Sequence, residues 1–106
     1  MIQIDSKLED GKLTLKVAGR LDTNTSPELS DKLSCDGVSS VVFDFSELEY
    51  ISSAGLRVLM SVQKTVMATG GSVVIVNPNS IVMGVLDMTG LSSVFEIVQG
   101  QGAPQQ

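Results

Sequence analysis

The chain predicts an α/β fold, a single domain with a mixed β-sheet and helices in the order ββαβαβαβ. Three observations carry that reading. Apolar and polar residues alternate at the start, on either side of an Asp10-Gly11 dipeptide. Compact β-rich runs recur at 41–45, 72–76 and 94–98. The segments between them place apolar residues at helical spacing and are bounded by capping residues and glycines.

Ile2, Ile4 and Leu8, then Leu13, Leu15 and Val17, predict strands at about 2–8 and 12–18. Asp10-Gly11 suits a type I′ turn, which needs positive φ, so the two strands pair antiparallel. Residues 19–24 leave the sheet. A helix then starts near 25–28, either with Thr25 capping and Glu28 closing a capping box, or with Ser26 capping and Pro27 in the first helical position. It runs to about Ser34 with Leu29 and Leu33 inward, and Cys35-Asp36-Gly37 ends it.

The near-continuous apolar run at 41–45 predicts a central strand covered on both faces. Residues 54–68 carry Leu56, Leu59, Met60, Val66 and Met67 at helical spacing, and Gly70-Gly71 stops that helix. A buried strand follows at 72–76. Asn77-Pro78-Asn79-Ser80 forms a turn with caps for a helix to about Met88, stopped near Gly90. The strand at 94–98 belongs at an edge. Residues 99–106 are Gly, Ala, Pro and Gln, expected to form a flexible tail after a domain of residues 1–98.

Strand–helix–strand crossovers make parallel pairs of right-handed sense. Parallel strands at 12–18, 41–45 and 72–76 put their carboxyl ends on one side. Loops 19–24, 46–53 and 77–80 then converge there, at the edge where open α/β sheets bind ligands.

Composition removes several functions. The net charge is −5 with seven basic residues, which disfavours nucleic acid and anionic membrane surfaces as partners. An acidic chain more naturally meets a basic protein surface. One cysteine, Cys35, and no histidine leave no internal disulfide, no ordinary zinc site and no Ser-His-Asp triad. Cys35 reads as a small semi-buried side chain at a helix end. No cofactor motif is present, and no apolar run is long enough to insert in a membrane or serve as a secretory signal, so a cytoplasmic protein is expected. Lys64 lies turns away from Ser53 along one helix, at about 1.5 Å rise per residue, too far to assist a serine nucleophile. An enzyme is not expected.

Ser52 and Ser53 stand where an acidic loop meets a helix. A hydroxyl there faces unpaired N–H groups and the positive end of the helix dipole, a good location for a phosphate. The same position equally suits a helix cap. Arg57, one turn on, is either a solvated helix residue or a partner for that phosphate. Asp22-Thr23-Asn24 fits either partner contact or ordinary turn chemistry.

Four motifs in this order, Gly19-Arg-Leu-Asp22, Ile51-Ser-Ser-Ala-Gly-Leu56, Gly70-Gly71 and Leu86-Asp-Met-Thr-Gly-Leu91, make the chain resemble the STAS domain family over about residues 3–98. Within that family it resembles in particular the bacterial anti-sigma factor antagonists. The resemblance implies a protein that binds an anti-sigma factor, itself a serine kinase, and so releases a sigma factor. The kinase phosphorylates a serine in an Asp-Ser-Ser/Thr-Gly-Leu pattern, the phosphoform no longer binds, and a serine phosphatase resets it. Carried over, Ser53 is the phosphoacceptor with Ser52 as the alternative. Asp22, Thr23, Asn24, Ser52, Ser53, Gly55, Leu56 and Arg57 form the partner-binding set. The chain departs from the pattern with Ser52 where Asp is usual, Ala54 where Ser or Thr is common, and Arg57 where Gly is frequent. A second role within the family, as a STAS accessory subunit of an ABC-type lipid transport ATPase or another signalling assembly, is the alternative that Ser52 keeps open.

Overall fold

The computed structural model describes residues 2–32 and 38–99. Asp10 and Gly11 take φ values of 52° and 81°, the left-handed pair that a type I′ turn requires. They fold strand β1 (Ile2–Glu9) back onto β2 (Lys12–Leu21) as the expected antiparallel hairpin. Helix α1 (Ser26–Lys32) follows. Strands β3 (Ser40–Asp44), β5 (Ser72–Val76) and β6 (Glu96–Val98) then join parallel to β2, alternating with helices α2 (Ser53–Met67) and α3 (Ser80–Met88). The sheet order is β1-β2-β3-β5-β6, so β1 and β6 are its edges.

One strand was not expected. The loop read at 46–53 contains β4 (Leu48–Ile51), which pairs parallel with the end of β2. The cause is a length mismatch. β3 stops at Asp44, opposite Lys16, while β2 continues to Leu21. A turn closed by the Leu48 N–H on the Phe45 carbonyl lets β4 take over the vacated edge, with Leu48 opposite Gly19 and Ile51 opposite Leu21. The flanking Glu47 and Glu49 mask this strand in the sequence, but Leu48 and Ile51 are buried.

The core lies on one face of the sheet. Leu13, Leu15, Val17, Val41, Phe43, Val73 and Ile75 alternate inward and pack with Leu29 of α1, Leu59, Val62 and Val66 of α2, and Val82 and Leu86 of α3. The run at 41–45 is therefore not equally covered on both faces, since Val42 remains half-buried. The buried stripe of α2 is Gly55, Leu56, Leu59, Val62 and Val66. Met60 and Met67, expected on that stripe, are 46% and 56% exposed. Leu8 is also turned to solvent, 58% exposed, because it lies beyond the helical cover near the hairpin turn. The last strand is shorter than expected. A 3-10 turn at Leu91–Ser93 follows Gly90 (φ 79°), and Phe95 enters the core before β6 begins. The expected inward Leu33 and the thiol of Cys35 lie outside the described residues, as does the tail beyond Gln99.

Candidate functional site

The pairing of β4 with the end of β2 brings the predicted segments together. Ser52 N–H donates to the Leu21 carbonyl at 2.8 Å, carrying the start of α2 to the residue before Asp22. Gly55 makes the close approach possible. A Cβ there would sit 2.8 Å from Ile51 Cγ1 and 2.9 Å from Leu21 Cδ2, so any side chain would push α2 off the sheet. The third loop joins through Asn79, whose Nδ2 donates to the Leu48 carbonyl at 2.9 Å while its Oδ1 accepts the Val82 N–H at 2.8 Å as the cap of α3. The expected convergence of the three loops is present, and at Asn79 its basis is structural.

The two serines have different jobs. Ser52 is the N-cap of α2, in extended conformation, its hydroxyl accepting the Gly55 N–H at a long 3.5 Å. Ser53 is the first helical residue and is exposed. Its hydroxyl makes no hydrogen bond within the described residues. The N–H groups of Ser53 and Ala54 have no carbonyl one turn earlier to receive them. Ser53 is therefore an accessible hydroxyl at the positive end of a helix of 15 residues.

Asp22 organises the loop beside it. Its Oδ1 accepts the Asn24 N–H at 3.0 Å and the Thr25 N–H at 3.1 Å. The Thr25 N–H, foremost, holds the Asp22 carboxyl below the usual carboxylate range; partial burial works against it, while Asn24, the Thr25 hydroxyl and the Arg20 guanidinium add to it. Thr25 and Ser26 are buried, and neither performs the capping expected of it. Thr25 Oγ1 donates to the Arg20 carbonyl at 2.7 Å, and Ser26 Oγ to the Asp22 carbonyl at 2.6 Å. Both hydroxyls serve carbonyls at the point where the chain turns out of β2, and the Asp22 carbonyl also accepts the Ser26 N–H at 2.8 Å.

Thr23, from this loop, and Ala54 and Val58, from α2, line an open groove of about 340 Å³ together with Ser26, Pro27, Ser30 and Asp31 of α1. In the sequence Ser26 and Pro27 mark only the helix start, and Ser30 and Asp31 carry no signal of their own. Ser26 and Ser30, one turn apart and small, are the signal that could have marked the face turned to α2. Of the predicted set, Thr23, Asn24, Ser53 and Arg57 are exposed and Asp22 and Ser52 half-buried. Gly55 and Leu56 lie beneath the surface, so they shape the rim without presenting a side chain to a partner. Arg57 has no ion-pair partner among the described residues. Glu47 pairs with Lys16 at 3.4 Å and Arg20 stacks over Tyr50, 4.7 Å from the ring centre. No helix among the described residues is long and apolar enough to cross a membrane.

Comparison with known proteins matches residues 3–101 to the STAS domain. The chain belongs to the STAS domain family. BtrV of Bordetella bronchiseptica is 31% identical over 97 residues, covering 89% of this chain and 84% of that protein. The anti-sigma-B factor antagonist of Bacillus subtilis is 26% identical over 98 residues, covering 91% and 90%. Among solved structures, the unphosphorylated form of the anti-sigma factor antagonist SpoIIAA superposes with a TM-score of 0.82 at 17% identity over 99% of this chain and 92% of that one. The phosphorylated form of the Bacillus SpoIIAA gives 0.76 at 16% identity, covering 99% and 96%. The α/β fold with a mixed sheet and three helices is thus the SpoIIAA-like fold.

Proposed function

We propose that this protein is an anti-sigma factor antagonist whose binding is gated by phosphorylation of Ser53. The partner is an anti-sigma factor that is also a serine kinase. The surface that meets it comprises Asp22, Thr23 and Asn24, the Ser52–Ser53 corner, Arg57 and the adjoining groove. One observation carries the reading. Ser53 stands exposed and without a hydrogen bond among the described residues at the first position of α2, while Ser52 next to it does the capping. The hydroxyl is free for modification without loss of the helix start.

The gate works through charge. Phosphorylation adds about −1.5 to −2 charges at neutral pH. The free N–H groups and dipole of α2 stabilise that charge, so the domain stays folded. A partner surface fitted to a neutral hydroxyl meets a dianion beside Asp22 instead. An unpaired buried charge at an interface costs about 2–5 kcal/mol, roughly thirtyfold to a few thousandfold in affinity. Arg57, one turn along the helix, is the cation near enough in sequence to temper the new charge. A serine phosphatase would restore the binding form.

Titration calorimetry with the anti-sigma factor tests the proposal. Ser53→Ala should bind as the unmodified protein does, and Ser53→Glu about tenfold or more weaker. Equal binding by both variants would remove the gate. A chain that ignores anti-sigma factors but captures a transport ATPase would move it to the other branch of the family.

A further inference from the structure

Among the described residues, strand β1 is an edge of the sheet, paired on one side only. The hairpin fixes which of its backbone groups face outward. In a two-residue turn the Glu9 carbonyl accepts the Lys12 N–H, which makes Glu9–Lys12 a hydrogen-bonded pair. Such pairs alternate along an antiparallel ladder, so Lys7–Thr14 and Asp5–Lys16 are hydrogen-bonded as well. The N–H and C=O groups of Ile4, Ser6 and Leu8 then point away from β2.

We propose that this edge pairs with the same edge of a second copy of the chain, antiparallel and centred on Ser6. Charge selects the register. The outward residues must face one another, which leaves a few choices. Centring on Asp5 sets it against itself. Centring on Lys7 opposes two lysines and sets Asp5 against Glu9. Centring on Ile4 leaves Leu8 uncovered. Centring on Ser6 places Asp5 opposite Lys7 of the second copy twice, by the two-fold symmetry. It also sets Ile4 against Leu8 twice. The Asp5–Lys7 pairs fall at the non-hydrogen-bonded positions, where side chains approach most closely.

The single copy leaves these groups unspent. Asp5 has no ion-pair partner among the described residues. Lys7 reaches only Glu9 on its own strand, at 3.6 Å, both side chains being largely exposed. Leu8, 58% exposed, lies on the same sheet face as Ile4 and gains apolar cover from it in the pair. A lysine on an edge strand ordinarily deters pairing; here symmetry supplies its counter-charge. Ser6 pairs with Leu15 in the middle of β2, well before the rim that begins after Leu21, so each copy keeps its own Ser53 corner uncovered.

Sedimentation equilibrium on the full chain tests this. The unmodified chain should show a concentration-dependent monomer–dimer equilibrium. Asp5→Lys and Lys7→Glu each oppose like charges at two symmetric positions and should weaken it roughly tenfold or more. An equimolar mixture of the two variants should recover dimerisation, and so should D5K/K7E, because every pair again joins opposite charges. Circular dichroism should be unchanged in all three, since both positions are exposed. A chain that stays monomeric at its highest attainable concentration would overturn the proposal. So would a dimer indifferent to both reversals, or reversals that the mixture does not rescue.

Discussion

The Ser52 N–H donates to the Leu21 carbonyl at 2.8 Å, and this bond joins the start of α2 to the point where β2 gives way to the Asp22 loop. It exists because β2 outlasts β3 and β4 fills the gap. A strand of four residues thus fixes where Ser53 meets the surface.

Gly55 lies directly beneath that corner. Gly55→Ala brings a methyl to 2.8–2.9 Å from Ile51 and Leu21, both fully buried and unable to move freely. Overpacking of this kind costs about 1–3 kcal/mol, more than the roughly 1 kcal/mol that alanine gains in helix propensity. A net loss of up to about 2 kcal/mol is expected, read as a lower denaturant midpoint with an unchanged slope.

The division of labour between the serines separates by stability. Ser52→Ala removes the cap of α2 and should destabilise by about 0.5–1 kcal/mol, the low end for a cap because its bond is long. Ser53→Ala should stay within about 0.5 kcal/mol of the unmodified protein. Thermal melts of the two variants check the order. Ser53 as the more destabilising position would mean that the cap has been misassigned.

Asp22 carries a pH dependence of definite sign. Its carboxyl titrates below the ordinary value of 3.8 in the folded chain, chiefly through the Thr25 N–H. A depressed folded value stabilises fully above the unfolded one and is lost as pH falls through the folded one. The stability gap between the unmodified chain and Asp22→Asn should therefore be constant from neutrality to about pH 5 and close below about pH 4. Denaturant titrations at successive pH values measure it. A gap that widens on acidification would contradict the sign.

Leu59 tests the core under the site. It is fully buried between α2 and the sheet, so Leu59→Ala should cost about 2–5 kcal/mol. Met60→Ala, one residue along and half-exposed, should cost far less. Paired denaturation curves check the contrast.

These positions also mark what the sequence could and could not disclose. Alternation and turn chemistry exposed the hairpin, since Asp10-Gly11 admits few other conformations. Glycine stops exposed the ends of α2 and α3. The β4 strand stayed hidden because its pattern is short and flanked by glutamates, and its existence depends on β2 being longer than β3, a relation between segments distant in the chain. The outward turn of Met60 was hidden for another reason: helical spacing gives a stripe, and its edges depend on how the helix rolls against the sheet. The serine pair was visible as a candidate site, but its split into cap and exposed hydroxyl required the backbone, because either residue could have capped.

Mass-spectrometric mapping after incubation with the anti-sigma kinase and ATP tests the central claim most directly. One phosphate is expected on Ser53, absent from Ser53→Ala and accompanied by loss of the complex. A phosphate on Ser52 instead, or a Ser53 phosphoform that still binds the kinase as tightly, would contradict it.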